Sequence, residues 1–159
     1  MRTRIVVADH TQARFYDADD PASALRLVET LTDTAGRLRD QDLTSDRPGR
    51  VFDHAAPAGA RRGGVGHHGT GGERHAHKHE AVLFAHRIAA DLEKGRTGKH
   101  FDAVVLVAEP GFLGLLRSAL PKEVSSLVRT TVAKDLVHQG EDALRAHLPA
   151  EAYRPMRTP

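Results

Sequence analysis

The pattern of apolar and polar residues divides the chain into two ordered regions separated by a long polar segment. Apolar and partly alternating runs near 3–8, 13–18 and 24–31 are typical of strands, with polar turns between them. Three strands joined by tight turns predict an antiparallel meander. In the third strand Leu25, Leu27 and Leu31 are expected on one face.

Helical spacing begins after the polar segment. Apolar residues that recur every three or four positions predict a helix over about 75–94 whose core-facing residues are Val82, Ala85, Ile88, Ala89 and Leu92. We expect the helix to start between 71 and 76, because Gly71 and Gly72 are poor helix formers. Gly95 is expected to stop it.

The remaining pattern alternates strands with helices. The most apolar run predicts a central strand over 102–108, and helices follow around 113–120 and from 121 to 127. A short strand at 130–133 and a terminal helix at 141–148 complete the order. This order, β-β-β, long loop, α-β-α-β-α, predicts an α/β fold with a mixed sheet and packed helices.

Composition limits the classes of protein that the chain can represent. A chain of 159 residues with 40% hydrophobic and 28% charged residues predicts a single domain over 1–159. It contains no Cys, which excludes disulfides and thiolate chemistry. Its aliphatic runs are too short to cross a bilayer or to form a signal peptide, so we expect a cytoplasmic protein without a membrane partner.

The polar segment is the anomaly of the sequence. Residues 33–72 lack periodicity, which predicts a flexible loop that is either functional or disordered. Basic and flexible residues concentrate nearby: residues 47–79 hold six of the 11 histidines, eight of the 14 glycines, and six Lys or Arg against two acids. The loop is therefore basic within a domain that is otherwise slightly acidic.

A basic loop rich in glycine suits contact with nucleic acid. Glycines let backbone N–H groups approach phosphates closely, and arginines neutralise or bind them. The predicted nucleic-acid-binding residues are Arg61, Arg62, Gly63, Gly64, Gly71, Gly72, Arg74 and Lys78. The alternative is a solvated insert whose arginines only maintain solubility, since Phe52 is the one aromatic residue available for stacking.

The histidines permit a metal hypothesis. On a helical wheel His75, His79 and His86 lie close to Glu93. The i, i+4 spacing of His75 and His79 allows both imidazoles to hold one zinc or nickel ion. Dense histidines also favour an exposed stripe that gains charge below about pH 6.5. We favour the stripe, and we therefore predict no metal and no cofactor.

Acidic residues permit a second alternative, a metal-dependent hydrolase or nuclease. Two or three carboxylates would have to converge on a magnesium ion. The candidates lie at strand ends and in the loop: Asp9, Asp53, Asp102 and Asp135. No spacing rule selects them, so we predict no catalytic residues.

Several motifs together resemble the bacterial host-attachment protein family. They are Val7 to Tyr16, Asp46 to Asp53, His79-Glu80 with Phe84-Ala85, Phe101 to Arg117, and Lys134 to His138. The resemblance covers nearly the whole chain, and 101–117 is its most specific part. The family description, a protein required for attachment to host cells, refers to a phenotype and implies no mechanism.

The order of elements also resembles the middle domain of archaeal and eukaryotic class-one peptide-release factors, which has an RNase H-like topology. That domain carries a Gly-Gly-Gln loop into the ribosomal peptidyl-transferase centre. Here Gly71-Gly72-Glu73 lies at the corresponding place, and Glu73 replaces the glutamine. The resemblance therefore implies contact with RNA or the ribosome without peptidyl-tRNA hydrolysis. A protein partner that folds the loop is the alternative.

Overall fold

The computed structural model describes residues 1–35 and 70–153, in which five strands form a mixed sheet with the order β3-β2-β1-β4-β5. The strands are β1 (Thr3–Ala8), β2 (Gln12–Ala18), β3 (Arg26–Thr32), β4 (Ala103–Ala108) and β5 (Val128–Ala133). The helices are α1 (Thr70–Thr97), α2 (Pro110–Ala119), α3 (Lys122–Ser125) and α4 (Glu141–His147), followed by a 3₁₀ turn (Ala150–Tyr153). The predicted mixed α/β fold is confirmed, while its RNase H-like classification stays a prediction.

The first three strands form the predicted antiparallel meander, and β4 and β5 run parallel to β1. The parallel register sets Thr3 beside Ala103 and Ala8 beside Ala108. The residues that follow β1 and β4 therefore meet at the same edge of the sheet. We call this side the carboxyl edge.

One expectation about β3 is wrong. Phe15 pairs with Glu29 and Tyr16 pairs with Leu27, so Val28 is an extra residue in β3 and forms a bulge. Leu31 packs with the core on one side of the sheet, Leu25 is buried on the other side, and Leu27 is exposed. The three leucines do not share a face because the bulge interrupts the alternation.

Helices cover both faces of the sheet and give it two cores. On one face, α1 and α2 pack Ile88, Leu92 and Leu116 against strand residues such as Val6 and Leu106. On the other face, α4 and the 3₁₀ turn contribute Leu144 and Ala152 to a second core around Ile5, Val7, Val105 and Val107. The central strands β1 and β4 are buried on both faces, as their apolar runs predict.

The long helix differs from the prediction at both ends. It begins at Thr70, before the expected window of 71–76, so the predicted loop over 33–72 ends earlier. Most of that loop lies outside the described residues. Gly95 does not stop the helix: a Cβ there would lie 2.7 Å from Phe101 Cε1, so the glycine permits close packing. In the core, Phe84 is buried. Val82, which the pattern predicts to face the core, is only partly buried.

The later elements agree with their predicted positions, with shifts at their ends. The second helix after β4 is a single turn that ends at Ser125, because Leu127 already leads into β5. Strand β5 begins at Val128, two residues before its predicted start. Glu109 caps α2, since its carboxylate accepts hydrogen bonds from the amides of Gly111 (3.1 Å) and Phe112 (2.6 Å).

A buried ion pair connects β1 to β2. The Arg4 guanidinium donates from Nε to Asp17 Oδ1 at 2.5 Å and from a terminal nitrogen to Oδ2 at 3.2 Å, and both side chains are buried. Arg4 also lies over the Phe101 ring, 5.0 Å from its centre. Arg26 reaches Asp17 from the exposed side at 3.4 Å. Removing the Asp17 charge would leave a buried cation without its main partner.

Candidate functional site

A groove of about 660 Å³ opens at the carboxyl edge of the sheet, between the first half of α1 and the start of α2. Its lining combines polar and apolar residues: His10, His77, Lys78, Ala81, Glu109, Gly111, Phe112 and Leu115. In open α/β sheets, ligands bind outside the carboxyl ends of strands where the strand order reverses. Here the chain turns from β1 towards β2 on one side, and β4 lies on the other.

The groove has an apolar wall and a charged rim. The wall is formed by Ala81, Phe112 and Leu115, and the Phe112 ring is held in place by the Phe84 ring at a centroid distance of 6.1 Å. Lys78 and His77 lie on α1 at one side of the rim, and Glu109 lies across from them at the start of α2. An apolar wall beside a few polar groups is typical of small-molecule and nucleotide sites.

The capping role of Glu109 limits what can bind there. Its two carboxylate oxygens already accept the first amides of α2. These amides are therefore not available to an anionic ligand, and Glu109 adds a negative charge to the rim. The groups that could hold an anion in the groove are Lys78 and the imidazole of His77 on α1, and the imidazole of His10 after β1.

A second polar cluster lies at the same edge. Asp9 Oδ1 accepts hydrogen bonds from the Thr11 amide (2.7 Å), the Thr11 hydroxyl (2.8 Å) and the Gln12 amide (2.8 Å). Its Oδ2 lies 3.6 Å from His138 Nε2, and His138 Nδ1 lies 3.2 Å from Gln12 Nε2. This network connects the turn after β1 to the segment after β5. The motifs at 7–16, 101–117 and 134–138 thus come together at the carboxyl edge.

The basic face of α1 adjoins the groove. Arg74, His75, Lys78 and His79 are exposed on its first turns, and their spacing of three and four residues places them as neighbours. Within the described parts of the chain, neither Arg74 nor Lys78 forms an ion pair. We call these four residues the basic face.

Four of the eight predicted nucleic-acid-binding residues lie within the part of the chain that the structure describes. Arg74 and Lys78 lie on the basic face, and Gly71 and Gly72 lie in the first turn of α1. A Cβ on Gly72 would meet nothing within 4 Å, so packing does not require a glycine there. The loop residues Arg61, Arg62, Gly63 and Gly64 lie outside the described residues.

The histidine stripe is only partly brought together. His75, His79 and His86 are exposed on α1, while Glu93 is held by Arg96 at 2.7 Å. This ion pair lowers the pKa of the Glu93 carboxyl through its hydrogen bond to the guanidinium. Residues 1–35 and 70–153 contain no group of three His, Asp or Glu side chains arranged to hold a metal ion.

Among the described residues, the carboxylates considered for nuclease chemistry do not converge. Asp102 precedes β4 and accepts a hydrogen bond from the Arg2 amide at 2.8 Å. It therefore lies at the opposite edge of the sheet from Asp9, because β1 and β4 are parallel. Asp135 is exposed after β5, and Asp53 lies outside the described residues.

One carboxyl group with a raised pKa, that of Glu29, lies away from the groove beside Asp91. Burial raises the pKa of the Glu29 carboxyl, and the neighbouring Asp91 carboxylate raises it further. The pair connects β3 to α1 near Lys94. Glu29 is the residue that faces Phe15 across the bulge region of β3, so its position follows from the sheet register.

The sequence patterns did not identify five residues that line the groove: His10, His77, Glu109, Phe112 and Leu115. Four of these lie within or beside the motifs that carry the family resemblance, which is the signal that could have identified them.

Within residues 1–35 and 70–153, no helix combines the length and apolar character that crossing a bilayer requires. The expected cytoplasmic location stays a prediction.

Comparison with known proteins confirms the family resemblance. A family model described as "Protein required for attachment to host cells" matches residues 4–148. The curated proteins give no match. A solved structure described as an archaeal protein has a TM-score of 0.44 and 10% sequence identity, over 96% of this chain and 36% of that one. This chain therefore spans about a third of the length of that protein.

Proposed function

Because this chain belongs to the family of proteins required for attachment to host cells, we propose a molecular activity for it within that family. It is a non-catalytic domain that contacts RNA, alone or in the ribosome, through the basic face of α1 and the adjoining groove. The observation that carries this proposal is the exposed Lys78 at the rim of a groove with an apolar wall, with Arg74 exposed about one turn earlier on the same helix.

The charge distribution supports a phosphate ligand for the basic face. Two permanent cations and two imidazoles are exposed there, and no carboxylate neutralises Arg74 or Lys78 within the described residues. The start of a long helix adds a partial positive charge that favours anions. Phosphate contacts of this kind position a nucleic acid without reading its sequence.

The groove supports a base next to that phosphate. Ala81 and Leu115 offer partly exposed apolar surface, and Phe112 closes the wall from inside. A nucleotide with its phosphate at Lys78 and its base against this wall would use both halves of the groove. A free inorganic anion would use only the rim, so the proposal favours unpaired RNA, whose bases are accessible.

The glycines at the start of α1 fit the same ligand. Gly72 leaves space above the helix backbone that no atom of residues 1–35 or 70–153 is seen to fill. An RNA backbone could approach there more closely than any residue with a Cβ would allow. Arg61 and Arg62, predicted from the sequence, precede this turn and are proposed as further phosphate contacts.

The release-factor resemblance supports binding rather than hydrolysis. Glu73 follows the two glycines where that family carries glutamine. A carboxylate at this position adds negative charge next to an RNA backbone and changes the chemistry available. We therefore assign no catalytic residue.

The test measures binding of the full chain to fluorescently labelled single-stranded RNA and its sedimentation with ribosomes. The variant Arg74→Gln with Lys78→Gln removes two charges from the basic face. The matched control, Lys94→Gln with Lys99→Asn, removes two exposed charges, one in the last turn of α1 and one just after it. Lys94 lies about 24 Å from Lys78 at 1.5 Å per residue. Asn suits position 99 because Lys99 has a φ of 56°, in the left-handed region.

At salt concentrations between about 50 and 200 mM, the first variant is expected to bind RNA at least about tenfold more weakly than the parent. The control is expected to bind RNA nearly as well as the parent. Equal weakening by both variants would mean that net charge alone attracts RNA. RNA binding by neither variant nor parent would refute the proposal. Sedimentation of the chain with ribosomes that persists at high salt would instead favour a protein partner held by apolar contacts.

A further inference from the structure

A second, smaller cavity lies at the edge of the sheet opposite the carboxyl edge, where the groove opens. It has a volume of about 260 Å³ and lies between the end of α2, the end of α3 and the start of β5. Its lining contains two arginines and three hydroxyl residues: Arg117, Leu120, Ser125, Val128, Arg129, Thr130 and Thr131. We call it the arginine cradle.

A bulge in β5 aims residues into the cradle. Val104 pairs with Val128 and Val105 pairs with Thr130, so Arg129 is an extra residue without a partner in β4. In a regular strand, successive side chains point to opposite faces. The bulge breaks this alternation, and residues 128–131 consequently all line the same cavity.

The Arg129 side chain is only partly satisfied by the described residues around it. Its Nε is buried, and within the described residues it has no hydrogen-bond partner. A terminal nitrogen of Arg129 lies 3.6 Å from Met1 Sδ, a weak and uncharged acceptor. A buried donor without an acceptor costs free energy, which the guanidinium would recover by turning towards a ligand oxygen in the cavity.

The charge in the cradle is also unbalanced. Arg117 adds a second guanidinium from the last turn of α2. The described residues that line the cavity include no Asp or Glu. Ser125, Thr130 and Thr131 supply hydroxyl groups that can donate to oxygen atoms. Guanidinium and hydroxyl donors without a carboxylate are the groups that recognise phosphate.

We propose that the arginine cradle binds a phosphate group. The volume is below the range of about 300–1,000 Å³ that drug-sized ligands occupy, and it suits one phosphoryl group with the rest of its ligand outside. The phosphate oxygens accept hydrogen bonds from Arg129 and Arg117 and from the cradle hydroxyls. The site does not depend on the proposed function of the groove, since the two lie at opposite edges of the sheet.

The test titrates the full chain with inorganic phosphate by calorimetry at constant ionic strength. Saturable binding with a Kd of about 1 mM or below is expected. Arg129→Ala and Arg117→Ala should each weaken it at least about tenfold, as expected for hydrogen bonds to a charged group. Arg129→Lys keeps the charge but loses the planar fork, and should recover only part of the affinity.

Lys134→Ala is the matched control, because it removes a charge from the residue that follows the other end of β5. It should bind phosphate as the parent does. Arg117 is exposed, so its variant tests the cradle even where Arg129→Ala does not fold. Competition with adenosine monophosphate and with a short RNA lacking terminal phosphates then distinguishes a monoester from an RNA backbone. Unsaturable phosphate binding, or equal binding by parent and both alanine variants, overturns the proposal.

Discussion

Two exposed helical glycines, Gly72 in α1 and Gly114 in α2, allow packing and RNA contact to be separated. At both positions an added Cβ would meet nothing within 4 Å. A glycine inside a helix costs about 0.8–1.0 kcal/mol relative to alanine. Gly114→Ala should therefore stabilise the protein by up to about 1 kcal/mol. Gly72→Ala, in the first turn where helices fray, should stabilise it by about 0.5 kcal/mol or less.

The two substitutions should differ in RNA binding. If RNA phosphate approaches the backbone at Gly72, a methyl group there removes a hydrogen bond to a charged acceptor, worth about 1.5–3 kcal/mol. Gly72→Ala should then weaken binding about tenfold or more, while Gly114→Ala should leave it unchanged. Urea unfolding followed by circular dichroism measures stability, and fluorescence anisotropy measures binding to labelled RNA.

Two results would contradict this reasoning. Loss of stability in Gly72→Ala would mean that the start of α1 is not a regular helix. Unchanged RNA affinity in Gly72→Ala, with the expected gain in stability, would mean that the open space above Gly72 has no role in binding.

Three further predictions concern the fold. Ile88→Asp should unfold the domain, because Ile88 is fully buried and its burial contributes roughly 1.5–3 kcal/mol; Ala90→Asp, on the exposed side of α1, should leave the melting temperature nearly unchanged. Asp17→Asn should cost about 3–5 kcal/mol in urea unfolding, whereas Arg26→Ala should cost below about 1 kcal/mol; similar losses would refute the buried ion pair. Glu29→Gln should raise the melting temperature near pH 7 but not near pH 4. The raised pKa of Glu29 means that the folded state favours the protonated carboxyl. The stabilisation from that proton is lost as the pH rises through the folded pKa, and the neutral Gln side chain avoids this loss. An equal effect at both pH values would contradict the raised pKa.

Local pattern was sufficient to predict most elements of the fold. The runs around Val6 and Leu106 are apolar on both sides, which is typical of central strands covered by helices. Features that depend on contacts distant in sequence were not predictable in this way. Gly95 matches a helix stop locally, but its actual role is the close approach of Phe101. The bulge at Val28, which separates Leu27 from Leu31, has no distinctive residue to indicate it.

The candidate site was predictable only in its basic part. Arg74 and Lys78 could be identified from their charge, because basic residues at the polar start of a predicted helix are expected to be exposed. Glu109 and His10 lie together only because β1 and β4 pair in parallel, and no local pattern specifies that pairing. Arg129 was missed for the same reason, since its orientation depends on a bulge opposite β4.

We propose that this chain holds RNA phosphate with the basic residues around the start of α1. The most direct test is the slope of log affinity for single-stranded RNA against log salt concentration. It is measured for the parent and for a variant with Arg61, Arg62, Arg74 and Lys78 all changed to Gln. Each lost phosphate contact should reduce the slope by about 0.7, or about 3 in total, while the melting temperature stays close to that of the parent. The same affinity and the same slope in both proteins would show that these four residues do not hold RNA phosphate.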